Sequence, residues 1–337
     1  MEIKEVLFML SEAFGASGSE SSAANIACGL LRKYCPDAHI YNGNVIGTFG
    51  EKREGLLHIV LDAHIDQIGF IVTNITEEGF IKFDQLGGID RRIIAAQPVI
   101  IHGKRDIPGI ICSIPPHLSE ENEVVKYENT AIDTGMTYDE LSELISVGDT
   151  ITFDVKCHTL LGDRITGGAL DDRCGVTAIL YALEIMSNMD LGFNVTVIFS
   201  CQEELGERGA QIGAYKLSPD IAIAVDVSFA MAMGENERKC GNLSEGPMIG
   251  VSPSLSHDIT EDLINIAKKR KIPYQLEVMN GSTGTNADCY SVSRCGCKAC
   301  TVSIPLRNMH TPVEVIDLND VKHTAEIIAA YITEGKY

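Results

Sequence analysis

No apolar run in this 337-residue chain approaches the roughly 20 residues that a helix needs to cross a bilayer, which excludes a membrane-spanning reading. The opening stretch "MEIKEVLFMLSEAFG" carries acids among its apolar residues. It reads as an amphipathic helix rather than a secretory leader, so a cytoplasmic location with no membrane partner is expected. Positive charge is scarce: 27 Lys and Arg face 47 Asp and Glu, for a net charge of −20. A polyanion would be repelled by such a surface, so nucleic acid is excluded as a partner, whereas metal cations are favoured. The 11 cysteines are odd in number, so at least one cannot pair within the chain. Without a secretory leader they read as reduced thiols used as small apolar residues. There is no internal repeat and no low-complexity tract. No G-x-S-x-G elbow frames any serine, and although Cys201 neighbours Gln202 and Glu203, nothing else points to a serine or cysteine nucleophile.

What is present reads as a folded protein, with 45% hydrophobic and 22% charged residues. The length exceeds what one core usually holds, so two domains, or one large domain with an insertion, are expected. Periodicity gives helix, helix, strand over the first part. Ile3, Val6, Leu7, Leu10 and Phe14 make one helical stripe ended by Gly15. Ser19 to Tyr34 gives a second helix, capped by a serine and stopped near Pro36. "LLHIVLDAH" is a buried strand. From Gly69 to Gly162 the chain turns β-rich. "GFIVTNITEEGFIKF" is two strands around a turn at Glu78-Gly79, "QPVIIHGKRDIPGIICSI" is two more, and "GDTITFDV" follows a short helical piece at Tyr138–Leu144. Helix and strand then alternate. A helix runs through Val176, Ile179, Leu180, Leu183 and Met186, and "NVTVIFS", "IAIAVDV" and "ACTVSI" are strands. Short apolar runs separated by helices predict an α/β fold, a mostly parallel central sheet with helices on both faces, carrying a small inserted β-domain.

Ligand-type residues stand just past the predicted strands. His64 and Asp66 follow "LLHIVLDA", Glu203 and Glu204 follow "NVTVIFSCQ", Asp226 follows "IAIAV", and His310 follows "ACTVSIPLRNM". The pair Asp171-Asp172 opens the long helix. In open α/β sheets, ligands bind outside the carboxyl ends of the strands, so these residues are expected to converge. Two histidines and several carboxylates suit zinc, cobalt or manganese. Asp66, two residues beyond His64, is placed to accept its other ring N–H. Taken singly, each residue has a plain alternative: a surface histidine, a helix cap at Asp171-Asp172, or a solvated loop start at Glu203-Glu204. The adjacent glutamates pose a particular problem, because neighbours on a strand point to opposite faces. At a strand's end the chain leaves the pleat. One glutamate can then bind a metal while the other takes a proton from a metal-bound water.

At these residues the sequence resembles the TET-type dinuclear metallo-aminopeptidases, which include glutamyl and deblocking aminopeptidases and members labelled endoglucanase. The resemblance rests on "AHIDQIGF", "GGALDDRCG", "QEELGERGA", "VDVSFA" and "SIPLRNMHTPVEV", with "IPGIICSIPPHL" and "VGDTITF" in the inserted part. It implies an aminopeptidase/phosphorylase-like catalytic domain over 1–68 and 163–337, interrupted by a β-barrel-like dimerisation and assembly domain over 69–162. It implies two divalent cations per chain, Zn, Co or Mn. His64 and Asp226 would hold one, Glu204 and His310 the other, and Asp171 would bridge them. Glu203 would be the general base and Asp66 would orient His64. Short peptides would lose their N-terminal residues through attack by a metal-bound hydroxide. The runner-up is a dinuclear carboxypeptidase or deacylase on the same fold. A scaffold that kept the fold without the chemistry would be expected to lack Glu203. The family's dimers assemble into hollow tetrahedral dodecamers, so a homo-oligomer is expected. Two positions depart from the family pattern: Gln67 replaces a frequent glutamate, and Asn286 in "GTNAD" replaces an aspartate. Cys289, Cys295, Cys297 and Cys300 have poor spacing for a metal knuckle, so they are expected to be small core residues.

Overall fold

The inner strands lack polar–apolar alternation because helices cover both of their faces. The structure, a computed structural model, describes residues 1–114 and 126–335. Its main sheet has eight strands in the order β1 (His39–Tyr41), β2 (Asn44–Phe49), β12 (Asn194–Ser200), β3 (His58–His64), β13 (Ile221–Phe229), β16 (Lys298–Leu306), β14 (Met248–Val251) and β15 (Gln275–Val278). The run β12-β3-β13-β16 is parallel throughout, while β2 and β14 flank it antiparallel. Ile59, Leu61 and Ala63 enter one core with α1 (Ile3–Ser11), α2 (Ser21–Leu31), α4 (Leu170–Met186), α6 (His257–Arg270) and α8 (Leu318–Glu334). Val60 enters the opposite core with Ala210 and Ala214 of α5 (Arg208–Leu217) and Tyr290 of α7 (Ala287–Val292). The expected α/β architecture is therefore the one the chain adopts.

Between β3 and α4 the chain forms a closed six-stranded barrel. Its order is β4 (Gly69–Ile75), β5 (Ile81–Leu86), β8 (Thr130–Asp133), β7 (Asp106–Ser113), β6 (Pro98–His102) and β9 (Thr150–Phe153). Phe70 pairs with Ile151 to close it. Its interior has its own apolar cluster, including Phe70, Val72, Phe83, Ile101, Ile111, Ile132 and Ile151. Closure leaves no unpaired edge to recruit other strands. The helical piece α3 (Tyr138–Leu144) starts with a capping box between Thr137 and Glu140. A three-stranded ribbon, β10 (His158–Thr159), β11 (Arg164–Gly167) and β17 (Glu314–Asp317), leads the chain from the barrel into α4. Among the described residues, no helix is long and apolar enough to cross a membrane.

Several local expectations need correction. α1 stops at Ser11, so Phe14 leaves the helical stripe and stacks on His102 of the barrel, ring centroids 3.6 Å apart. No serine caps α2; Glu20 occupies that position, and its carboxylate is drawn away to the N–H groups of Gly18 and Gln202. Asp226 lies within β13 and not beyond it, because β13 stays paired with β16 as far as Phe229–Leu306. Its pairing with β3 nonetheless ends at Ala224–Asp62, so Asp226 still projects beyond that ladder. The hairpin β1-β2 adds to the expected helix, helix, strand order, and Asn42 (φ 47°) and Gly43 (φ 85°) form the Asn-Gly turn such hairpins favour. Pro115 to Leu118 of the quoted "IPGIICSIPPHL" lie outside the described residues.

Candidate metal centre

Register decides which side chains meet. Ser200 of β12 pairs with His64 of β3, so both strands end level, and the chain beyond each turns over the sheet edge. Beyond Ser200 the backbone leaves the pleat at Gln202, whose φ is 52°. Glu203 and Glu204 therefore do not diverge. Donor atoms of both close with His64 into one group within 4.8 Å. The turn is held from below by Asp66. One of its carboxylate oxygens accepts the Glu203 N–H at 3.0 Å and the other the Glu204 N–H at 3.1 Å. Toward His64, Asp66 presents its main-chain oxygen 3.2 Å from Nδ1 and its carboxylate at 3.4 Å. The far side of the turn is fixed by Asn44, which accepts from the Cys201 N–H and donates to the Gly209 carbonyl.

The acidic pair at the start of α4 divides its labour. Asp172 takes the cap, accepting the Gly175 N–H at 3.1 Å and the His64 N–H at 3.2 Å. Asp171, held out of helical conformation, faces the two histidines. Its Oδ1 lies 2.9 Å from His64 Nε2, and its Oδ2 lies 3.4 Å from His310 Nε2. His310 also stands 3.3 Å from Glu204, while His64 is 4.0 Å from Asp226. Three donor groups result: His64, Asp171 and Asp226; Asp171, Glu204 and His310; and His64, Glu203 and Glu204. Every candidate named from the sequence is thus brought to one place. Donor atoms around a single zinc sit about 3.3 Å apart, given bonds of about 2.0 Å and tetrahedral geometry. The spacing of 2.9 to 4.0 Å fits that requirement.

The electrostatics are those of a cation receptor. Burial pushes the Glu203 carboxyl up to about 8, with the charges of Glu204 and Asp171 adding to the effect. Burial and neighbouring carboxylates likewise push Asp226 well up. Burial disfavours charge on His310, but hydrogen bonds to Asp171 and Glu204 outweigh it and push the imidazole up to about 11. Carboxylates crowded in this way gain most from a divalent cation among them.

Sequence reasoning missed Glu314. It is buried, and its two carboxylate oxygens accept the N–H groups of Asp171 and His310, each at 3.1 Å. The two departures from the family pattern lie close by. Asn286 donates to Ser200 Oγ at 2.8 Å and to Asp62 at 3.3 Å, beneath the ends of β12 and β3. Gln67 lines a cavity of about 300 Å³ shared with Glu12, Phe14, His102, Lys156 and Thr311. Of the four clustered cysteines, Cys300 is buried and the Cys289 thiol donates to Glu207. Cys295 is exposed at a turn before β16, which corrects its reading as a core residue. Among the described residues, no cysteine enters a donor group.

Comparison with known proteins follows the same line. The pattern defining the M42 glutamyl aminopeptidases matches residues 43–327. The lysyl aminopeptidase of Pyrococcus furiosus is 28% identical, over 98% of this chain and 97% of its own. An aminopeptidase structure from Desulfurococcus kamchatkensis is 33% identical with a TM-score of 0.93, covering 99% of this chain and 95% of that one. The Pyrococcus horikoshii TET1 peptidase, which can assemble into a tetrahedron or a large octahedral shell, is 30% identical with a TM-score of 0.86, covering 99% and 100%.

Proposed function

The chain belongs to the M42 glutamyl aminopeptidase family, and from that premise we propose that it is a two-metal aminopeptidase that removes N-terminal residues from short peptides. One observation carries the reading: the two oxygens of Asp171 address His64 and His310 separately, at 2.9 and 3.4 Å. A shared carboxylate between two imidazoles, each backed by a further acid, is the donor set that two adjacent divalent cations need. His64 and Asp226 would hold the first and Glu204 and His310 the second, with Asp171 shared between them. Zinc, cobalt and manganese all accept this set.

When bound, the cations polarise the scissile carbonyl and acidify a water molecule. Glu203 is the residue beside them that is left free. It takes the proton from the attacking water at its carboxylate and passes it to the leaving amine nitrogen. A carboxyl pushed up toward neutral pH by burial suits a group that must both accept and return a proton. Asp66 keeps Glu203 and Glu204 facing inward through their backbone N–H groups and sets the orientation of His64. Cleavage is a direct hydrolysis with no covalent enzyme intermediate. Family membership weighs against the carboxypeptidase or deacylase alternative.

The barrel within 69–162 is assigned to dimerisation and assembly, and 1–68 with 163–337 to catalysis. A TET1 structure that is a dodecamer, and the tetrahedron that the TET1 relative can form, support a dodecamer here. The reading is tested with a panel of aminoacyl amides and one free peptide, assayed after exhaustive chelation and after return of each metal. Activity should vanish and return, with release from the N-terminus only. Full activity in metal-free protein, or release from the C-terminus, would sink it.

A further inference from the structure

Asp171 and His310 both sit in irregular backbone. Asp171 has non-helical angles at the start of α4, and His310 has φ of 60° in the loop beyond β16. Neither main-chain N–H can join a helix or sheet ladder there. Both go to Glu314, one to each carboxylate oxygen, at 3.1 Å each. Glu314 is itself held from two sides. It opens β17 opposite Gly167 of β11, the strand that leads into Asp171. Its neighbour Val315 exchanges two backbone hydrogen bonds with Arg307, at 2.9 and 3.0 Å, which closes the loop carrying His310. The side chain is 2% exposed, so water does not compete for these bonds. Asp66 makes the same arrangement beneath Glu203 and Glu204.

We propose that Glu314 is a positioning residue for the second cation, because a single buried carboxylate sets the spacing between the bridging ligand Asp171 and the terminal ligand His310. The proposal rests on the two-cation reading above. Glu314 is not a ligand. It acts through backbone, so its loss leaves every donor atom present and misplaces two of them. Such supporting contacts change metal affinity by about 10- to 100-fold. The effect falls chiefly on the site that includes His310, because His64 and Asp226 are held by β3 and β13 independently of Glu314.

The test is a titration of metal-free protein with Co(II), followed by calorimetry and by visible absorption. Wild type is expected to take two equivalents. Glu314→Gln keeps the size but turns an N–H group toward one of the backbone donors. It should bind one equivalent as wild type does and the second about 10- to 100-fold more weakly, with an altered Co(II) spectrum for that step. Glu314→Asp, one methylene shorter, reaches only one of the two N–H groups and should give the same selective loss; it serves if the amide variant does not fold. His310→Gln should reproduce the weak second step. Two equivalents bound with wild-type affinities by the Glu314 variants would overturn the inference alone. A wild-type chain that takes fewer than two equivalents would overturn the two-cation reading, and the inference with it.

Discussion

Oδ1 of Asp171 stands 2.9 Å from Nε2 of His64, and against the cost of burial this contact, together with Asp66, pushes the imidazole well above its ordinary value. His310 is pushed up to about 11 by the same carboxylate together with Glu204. A ligand histidine must be neutral. In the metal-free protein both imidazoles are pushed toward the protonated form, so a cation has to displace protons there. Protons therefore compete with metal, and affinity should fall as pH falls. Calorimetry at pH 7 in buffers of different ionisation enthalpy should report net proton release on metal binding. Equal heats in all buffers, with no proton released, would contradict the assignment.

The two glutamates should separate by mutation. Glu203→Gln keeps shape but cannot accept a proton, so kcat should fall at least ~100-fold while two metals stay bound. Glu204→Gln removes an anionic donor, so one metal should bind more weakly and excess metal should restore part of the activity. Metal analysis beside kinetics distinguishes them. If Glu203→Gln loses a metal and Glu204→Gln keeps both, the roles are reversed.

Gly209 explains the glycine in "GERGA". A Cβ there would land on the Cys201 main chain and the Asn44 amide, closer than real Cβ atoms approach. Those groups close the loop that carries Glu203 and Glu204. Gly209→Ala should cost about 1–3 kcal/mol of stability by overpacking, read as a lower urea midpoint. It should also weaken metal binding at Glu204. An unchanged midpoint would show that the loop relaxes freely.

Light scattering should give a mass many times the 36.5 kDa of one chain. A monomer at micromolar concentration in metal-replete buffer would refute the assembly and leave the catalytic proposal standing.

The central strands were legible because each buried run stops abruptly at a residue type that apolar cores reject. His64 and Glu203-Glu204 stand out for that reason. From sequence Asp226 falls past the apolar run of its strand; only register shows that β13 continues along β16 while leaving β3. Glu314 and Asn44 gave no signal, since each acts by binding backbone of segments remote in sequence, and any chain has backbone everywhere. The strand β1 is exposed at all three residues, so it shows no burial pattern, and only its Asn-Gly turn marks it. The exposure of Cys295 likewise follows from the turn that precedes β16 and not from its apolar character.

The strand order has a consequence for synthesis. β3 lies between β12 and β13, so the sheet that carries His64 cannot form until chain from far beyond the barrel has arrived. Contacts this distant in sequence form slowly, after local units such as a barrel with its own core. His310 and Glu314 come later still. A nascent chain emerging from the ribosome thus holds His64 without Asp171, then both without His310. On the proposed reading, the capacity to cut peptides arrives last, as a safety interlock: an unfinished or truncated chain is an inert one.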